Sequence, residues 1–327
     1  MKKLFTATLV AVAASTITAC GTEADESAAG AKKICMNEYV TLPIAKDGIE
    51  GMKAGLADEG YPEGDDLKFD IRNPEGDAAT QQTLASQFLR DSGCSVLVGM
   101  FTPGSQAFLQ PGRKAPLVFF ASSAPIESKL AKSLESPGNN TTGLTDPLPV
   151  ELELAAMLKI NPEVKRVGLI WKNGDSSGDA LAARAKKAAR DAGIELVESP
   201  IANPSETTQA ARILVGKVDA IQIAGDGPTV SGVAGILKVA KDADLPVFGG
   251  TTETVDQGGL VAGVYDYREL GVEAGRLIAA VLDGKDAGSI PVYVPDETAM
   301  SVNKATLEGL GLEVPADLVV VYSENKE

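Results

Sequence analysis

The 327 residues contain no histidine, so the side chain that most often moves protons near neutral pH is missing from the whole chain. A Ser/His/Asp triad and a His-ligated zinc site are excluded together. Cys35 and Cys94 are spaced for neither a CxxC redox pair nor a zinc knuckle. The run GDGPTVSG from Gly225 follows a strand-like segment but lacks a phosphate-loop lysine, and GGTTETVDQGG from Gly249 is no dinucleotide fingerprint. Asp65 and Asp66 lie in a Pro/Gly turn and read as solvent-facing, which leaves carboxylate-only catalysis little support. No catalytic residue, metal or cofactor is expected.

The residues that remain suit binding. Short apolar runs are followed by NEY (Asn37, Glu38, Tyr39), by FTPGS (Phe101, Thr102, Gly104, Ser105), by SS (Ser122, Ser123), by WKNGDSSG opening at Trp171, by GDGPT around Asp226 and by TT (Thr251, Thr252). Small residues let a ligand approach backbone N–H groups, and hydroxyls add donors. Each position also has a structural reading. Asp226, Thr102 and Ser105 can cap helices, while Tyr39, Phe101 and Trp171 either stack on an aromatic ligand or form a core rim.

The elements that must position these residues alternate regularly. LKFDIR, SVLVGM, PLVFFA, VKRVGLIW, DAIQIA and LPVFGG read as strands, and stretches such as IEGMKAGLADEG and GDALAARAKKAARDAG read as helices stopped by Gly60 and Gly193. This is the α/β pattern of parallel sheets covered on both faces by helices, in which ligands sit at the carboxyl ends of the strands. It runs twice, over about 33–142 and again from Val164, which predicts two doubly wound, Rossmann-like lobes. In a sheet of order 2-1-3 the strands carrying Cys35 and Cys94 are neighbours, so the pair forms either a disulfide or two buried thiols.

The amino terminus predicts export. Met1 to Lys3 is cationic and Leu4 to Ala19 is uncharged, small or apolar, and too short to span a membrane as a helix, the layout of a signal peptide over 1–19. Ile17-Thr18-Ala19-Cys20 resembles a lipobox, which implies lipidation at Cys20 and a polar tether over 20–31. Without Lys2 and Lys3, 28 basic residues face 45 acidic ones, a net charge of −17. Such a surface argues against nucleic acid as a partner.

Longer stretches carry a family resemblance. GMKAGLADEGYPEGDDLKFDIRNPEGDAATQQTLA, PGNNTTGLTDPLPVELELAAMLKINPEVKRVGLIWK, VDAIQIAGD and YDYRELGVEAGRLIAAVLDGKDAGSIPV, in that order, resemble the ABC transporter substrate-binding lipoproteins of the tryptophan/tyrosine-type group. The resemblance implies the type I periplasmic-binding-protein fold, with a three-crossing hinge at 141–147, 264–269 and 288–291. It places 32–143 plus 268–288 in an N-terminal lobe and 144–267 plus 289–327 in a C-terminal lobe. It implies a lipid-anchored, extracytoplasmic monomer that closes on a small molecule, an amino acid first of all, and hands it to a permease and ATPase.

The resemblance also assigns roles. A ligand carboxylate falls to Thr102–Ser105 and to Ser122 and Ser123; a ligand ammonium falls to Asp226 first and Glu38 second; Tyr265 lies at the second crossing. Two departures bear on the ligand. Ala124-Pro125 and Thr251-Thr252 stand where many members carry an acid, which predicts a less acidic cleft and keeps nucleosides, sugars and carboxylates open as ligands. A sensor of the same fold, signalling to a membrane partner, is the alternative role.

Overall fold

The computed structural model describes residues 31–295 and 299–323. Cys20, with the expected signal peptide and nearly all of the tether, lies outside the described residues.

The first half of the chain runs β1 (Lys32–Asn37), α1 (Pro43–Asp58), β2 (Leu67–Arg72), α2 (Ala78–Arg90), β3 (Val96–Met100), α3 (Phe101–Gln106), β4 (Leu117–Phe120) and β5 (Thr141–Gly143). Its five strands are parallel in the order β2-β1-β3-β4-β5. Every residue of β3 and β4 is buried, as a sheet covered on both faces requires. Cys35 on β1 and Cys94 just before β3 are joined as a disulfide, with their Cα atoms 5.7 Å apart.

The chain then continues through α4 (Val150–Ile160), β6 (Arg166–Ile170), α5 (Ser176–Asp191), β7 (Glu195–Glu198), α6 (Thr207–Leu214), β8 (Ala220–Ile223), α7 (Gly227–Ser231), α8 (Val233–Asp242), β9 (Val247–Gly249), α9 (Thr252–Asp256) and β10 (Val261–Val264). The last elements are α10 (Tyr267–Leu282), β11 (Ala299–Asn303), α11 (Lys304–Gly309) and β12 (Val321–Ser323). The second sheet has the order β12-β11-β10-β9-β8-β6-β7, parallel except where β11 runs against β10.

α10 returns to the first sheet and packs along α1. The approach is close because glycines face each other: a Cβ on Gly55 would lie 2.2 Å from the Val272 carbonyl oxygen, and one on Gly271 would lie 2.3 Å from that of Gly48. The chain passes between the sheets at Leu144–Pro149, at Tyr265-Asp266 and once more after Tyr293. This last passage lies later than the 288–291 expected from the resemblance. Thr142 donates its hydroxyl to the Ile290 carbonyl (2.9 Å), and the Tyr293 N–H donates to Gly143 (2.9 Å), so the tail stays with β5 through Tyr293.

Candidate functional site

Strands β1, β3 and β4 each deliver a residue in the left-handed region just past their carboxyl ends: Tyr39 (φ 64°), Phe101 (φ 58°) and Ala121 (φ 52°). Each of these residues has a Cβ and adopts that conformation at a cost of order 1 kcal/mol, and such strain collects where function needs it. Together they turn the chain sharply at one rim. Opposite lie the ends of β8 and β9, turned by Gly225, Gly249 and Gly250.

Between the rims is a narrow cleft whose cavity volume is about 20 Å³. The first lobe contributes Leu42, Ile44, Phe101, Thr102, Pro103, Ala121 and Ser123 to it, and α10 contributes Tyr267. From the other side come Asp175, Ser177, Gly225, Asp226, Gly227, Val230 and Thr251, with Asp146 at the first passage. Three carboxylates therefore face the same space, and among the described lining residues there is no lysine or arginine.

Each carboxylate is held in place by donors. Asp226 caps α7, accepting from the Thr229 N–H (3.0 Å) and hydroxyl (2.7 Å), and reaches the Lys172 N–H (3.2 Å). Asp175 caps α5 through the N–H groups of Ser177 (3.0 Å) and Gly178 (2.9 Å). Asp146 receives the hydroxyls of Tyr267 (2.9 Å) and Ser123 (3.2 Å). Burial dominates over these donors. It pushes the Asp146 carboxyl up to about 7 and, with the neighbouring Asp175 charge, the Asp226 carboxyl up to about 6; Asp175 is raised too.

The lobes touch across this space. The Glu253 carboxylate, which accepts the Thr251 hydroxyl at 2.6 Å, also accepts the Ile44 N–H in the first turn of α1 at 2.9 Å. Ser176 donates its hydroxyl to Gln106 at 3.0 Å. Tyr39 lies near both Asp175 and Asp226, and its hydroxyl is raised by burial and by their charges. The cleft is closed.

Of the residues expected from sequence, Phe101, Thr102, Ser123, Asp226 and Thr251 line the cleft. Several others do not. Ser105 donates its hydroxyl to Gly99 and Phe101 carbonyls, both at 2.7 Å, and so shapes the turn rather than facing a ligand. Asn37 ties Gly104 to β1 by donating to its carbonyl (3.1 Å), and Ser122 is paired with the Thr102 hydroxyl (2.9 Å) behind the wall.

Glu38 accepts from Asn73 (3.1 Å) away from the cleft, and Thr252 does not line it. Trp171 packs with Leu148, Val150 and Leu181 in the second lobe, donates to Asp179 (3.1 Å) and carries the Lys186 ammonium over its ring, so it is core and not a stacking platform. Tyr265 donates to the Pro147 carbonyl (3.3 Å) and borders a different groove.

Ala124-Pro125 and Thr251-Thr252 bring no acid to the cleft, but the structure places carboxylates there that sequence reading did not assign. Glu253, one residue after Thr251-Thr252, is spent beside the cleft on the Thr251 hydroxyl and the Ile44 N–H, whereas Asp146 and Asp175 line it. Both stood within the strings singled out, TTGLTDP and WKNGDSSG, as hinge and loop residues.

The family described as "ABC transporter substrate binding protein" matches residues 33–326. The chain belongs to that family. A curated relative, the tyrosine-binding protein of Clostridioides difficile (strain R20291), is 32% identical over 282 residues, covering 86% of this chain and 81% of the relative. Among solved structures, the ABC domain from Streptococcus pneumonia in complex with L-Trp superposes with a TM-score of 0.84 at 28% identity, covering 88% of this chain and 97% of that one. The ligand-free, open structure of a substrate binding protein with adhesive properties from Clostridium difficile gives 0.68 at 27% identity, covering 90% and 100%.

At nearly equal identity the ligand-bound form agrees better, in keeping with the contacts across the cleft of this ABC transporter substrate binding protein. Its architecture is the type I periplasmic-binding-protein fold. Among the described residues the one cluster spaced for a metal is Cys35, Asp91 and Cys94, and its sulfurs are already bonded to each other.

Proposed function

We propose that this protein is the extracytoplasmic, lipid-anchored solute-binding component of an ABC importer, and that it closes on an aromatic amino acid and delivers it to a permease. The observation that carries the amino-acid reading is the set of three carboxylates, Asp146 and Asp226 buried and Asp175 half-buried, in a cleft with no lysine or arginine among its described lining residues. An ammonium brought among them supplies the charge that their burial lacks. Leu42, Ile44, Phe101, Val230 and Tyr267 give the rest of the cleft an apolar lining suited to an aryl group. The ligand carboxylate falls to main-chain N–H groups at the strand ends. The tyrosine-binding and L-Trp-bound relatives support the same ligand class.

In this reading Cys20 carries the lipid, 20–31 is the tether, and the monomer's two lobes swing about the three passages, with 32–143 and 268–293 on one side and 144–267 with the chain from 294 on the other. Contacts from both lobes let the ligand select the closed form. The test is calorimetric titration and thermal unfolding of the purified protein with tryptophan, tyrosine, phenylalanine, aliphatic amino acids, nucleosides and sugars. An aromatic amino acid at a hundredfold excess over its Kd should stabilise the fold by about 2.7 kcal/mol. Silence from every amino acid, with a response to a nucleoside or sugar, refutes it.

A further inference from the structure

The cleft's charges and donors are unequally matched to a zwitterion. An ammonium meets three aspartates, whereas a ligand carboxylate meets no cation among the described lining residues. Only neutral donors are left for it, main-chain N–H groups and hydroxyls, and most of the hydroxyl hydrogens are already committed. Ser123 and Tyr267 both donate to Asp146, and Thr251 donates to Glu253. Thr102 shares one hydrogen bond with Ser122, which leaves the pair a single hydrogen to offer, and Ser177 adds another. Pro103, at the head of α3, has no N–H to give.

A carboxylate placed here is also repelled by the same aspartates that hold the ammonium. Resting on the amino-acid reading above, we propose that the cleft recognises its ligand as an arylalkyl cation, and that arylalkylamines, the aromatic amino-acid skeleton without its carboxylate, are a second ligand class of the same site. The amine keeps the charge that Asp146, Asp175 and Asp226 neutralise and the ring that Leu42, Ile44 and Phe101 enclose. It omits only the group for which the described lining offers no cation.

The experiment is a calorimetric titration of the intact purified protein at pH 7.5 with three matched sets: tyrosine and tryptophan, tyramine and tryptamine, and the corresponding 3-arylpropionates. Displacement of the bound amino acid by the amine establishes that they share the cleft. The expected result is that an amine binds within about tenfold of its parent amino acid, while the arylpropionate, which lacks the ammonium, loses at least a hundredfold.

An amino acid that binds while its amine is weaker by a hundredfold or more overturns the inference and leaves the proposed function standing. An arylpropionate that binds as well as the amine also overturns it. Binding by neither amino acids nor amines removes both the function and the inference.

Discussion

At the residue scale the cleft is a problem in holding charge without water, and its solution should be visible in pH dependence. Asp226 and Asp146 are raised by burial to about 6 and about 7 from a usual value of 3.8, so the folded, ligand-free protein takes up protons on them that the unfolded chain does not hold. Their contribution to ligand-free stability is therefore fully present below about pH 4 and declines as pH rises toward 7. Ligand affinity must run the other way, because an ammonium is held by carboxylates and not by carboxylic acids. Kd for the aromatic amino acid should tighten from pH 5 to pH 8, by about tenfold for a carboxyl that titrates near 6, with protons released on binding. Titrations in buffers of different ionisation enthalpy count those protons, and a Kd flat across this range would remove the aspartates from the ligand. Asp226 was legible in the sequence because it follows a strand and precedes a helix. Asp146 and Asp175 were not, since a sequence does not distinguish a carboxylate turned into a cleft from one turned to solvent. Ser105 failed for a related reason: its type fits a ligand contact, but its hydroxyl completes the turn that Phe101 makes.

At the element scale the alternation of apolar runs and helices was enough to give the strand order around β1, because a covered parallel sheet writes itself as repeated buried runs. The same order made Cys35 and Cys94 neighbours but left a disulfide and two buried thiols both open; the structure bonds them, with their Cα atoms 5.7 Å apart. The pairing of α1 with α10 needs more than periodicity: it depends on Gly51 and Gly55 meeting Gly271 and Gly275 backbone to backbone, across more than two hundred residues of chain. Gly55→Ala would place a methyl 2.2 Å from the Val272 carbonyl oxygen, which is main chain and cannot rotate away. The two helices must separate, at a cost of about 1–3 kcal/mol typical of overpacking. Thermal unfolding should show a midpoint several degrees lower. Gly64→Ala, in open space, is the control and should leave the midpoint within a degree or two. Equal midpoints for the two variants would mean that the helices have slack to separate.

For the whole molecule the open question of mechanism is what holds the lobes together, and the contacts single out Glu253. It belongs to the second lobe, is fixed there by the Thr251 hydroxyl, and reaches the Ile44 N–H at the head of α1 in the first lobe. The amino end of a sixteen-residue helix is a favourable place for a carboxylate, so this single side chain couples lobe closure to a helix terminus. Thr251 and Ile44 both line the cleft, so opening the lobes breaks the Glu253 contact and uncovers the ligand in one motion. Glu253→Ala should therefore favour the open form of the ligand-free protein, seen as a larger radius of gyration in X-ray scattering. It should weaken ligand binding by about tenfold to a hundredfold, the range expected when a charge-assisted hydrogen bond is lost. Glu253→Gln keeps an acceptor oxygen for Ile44 and should recover most of the closure. If the alanine variant scatters and binds as the parent does, the latch is elsewhere, and Ser176 with Gln106 becomes the contact to remove next.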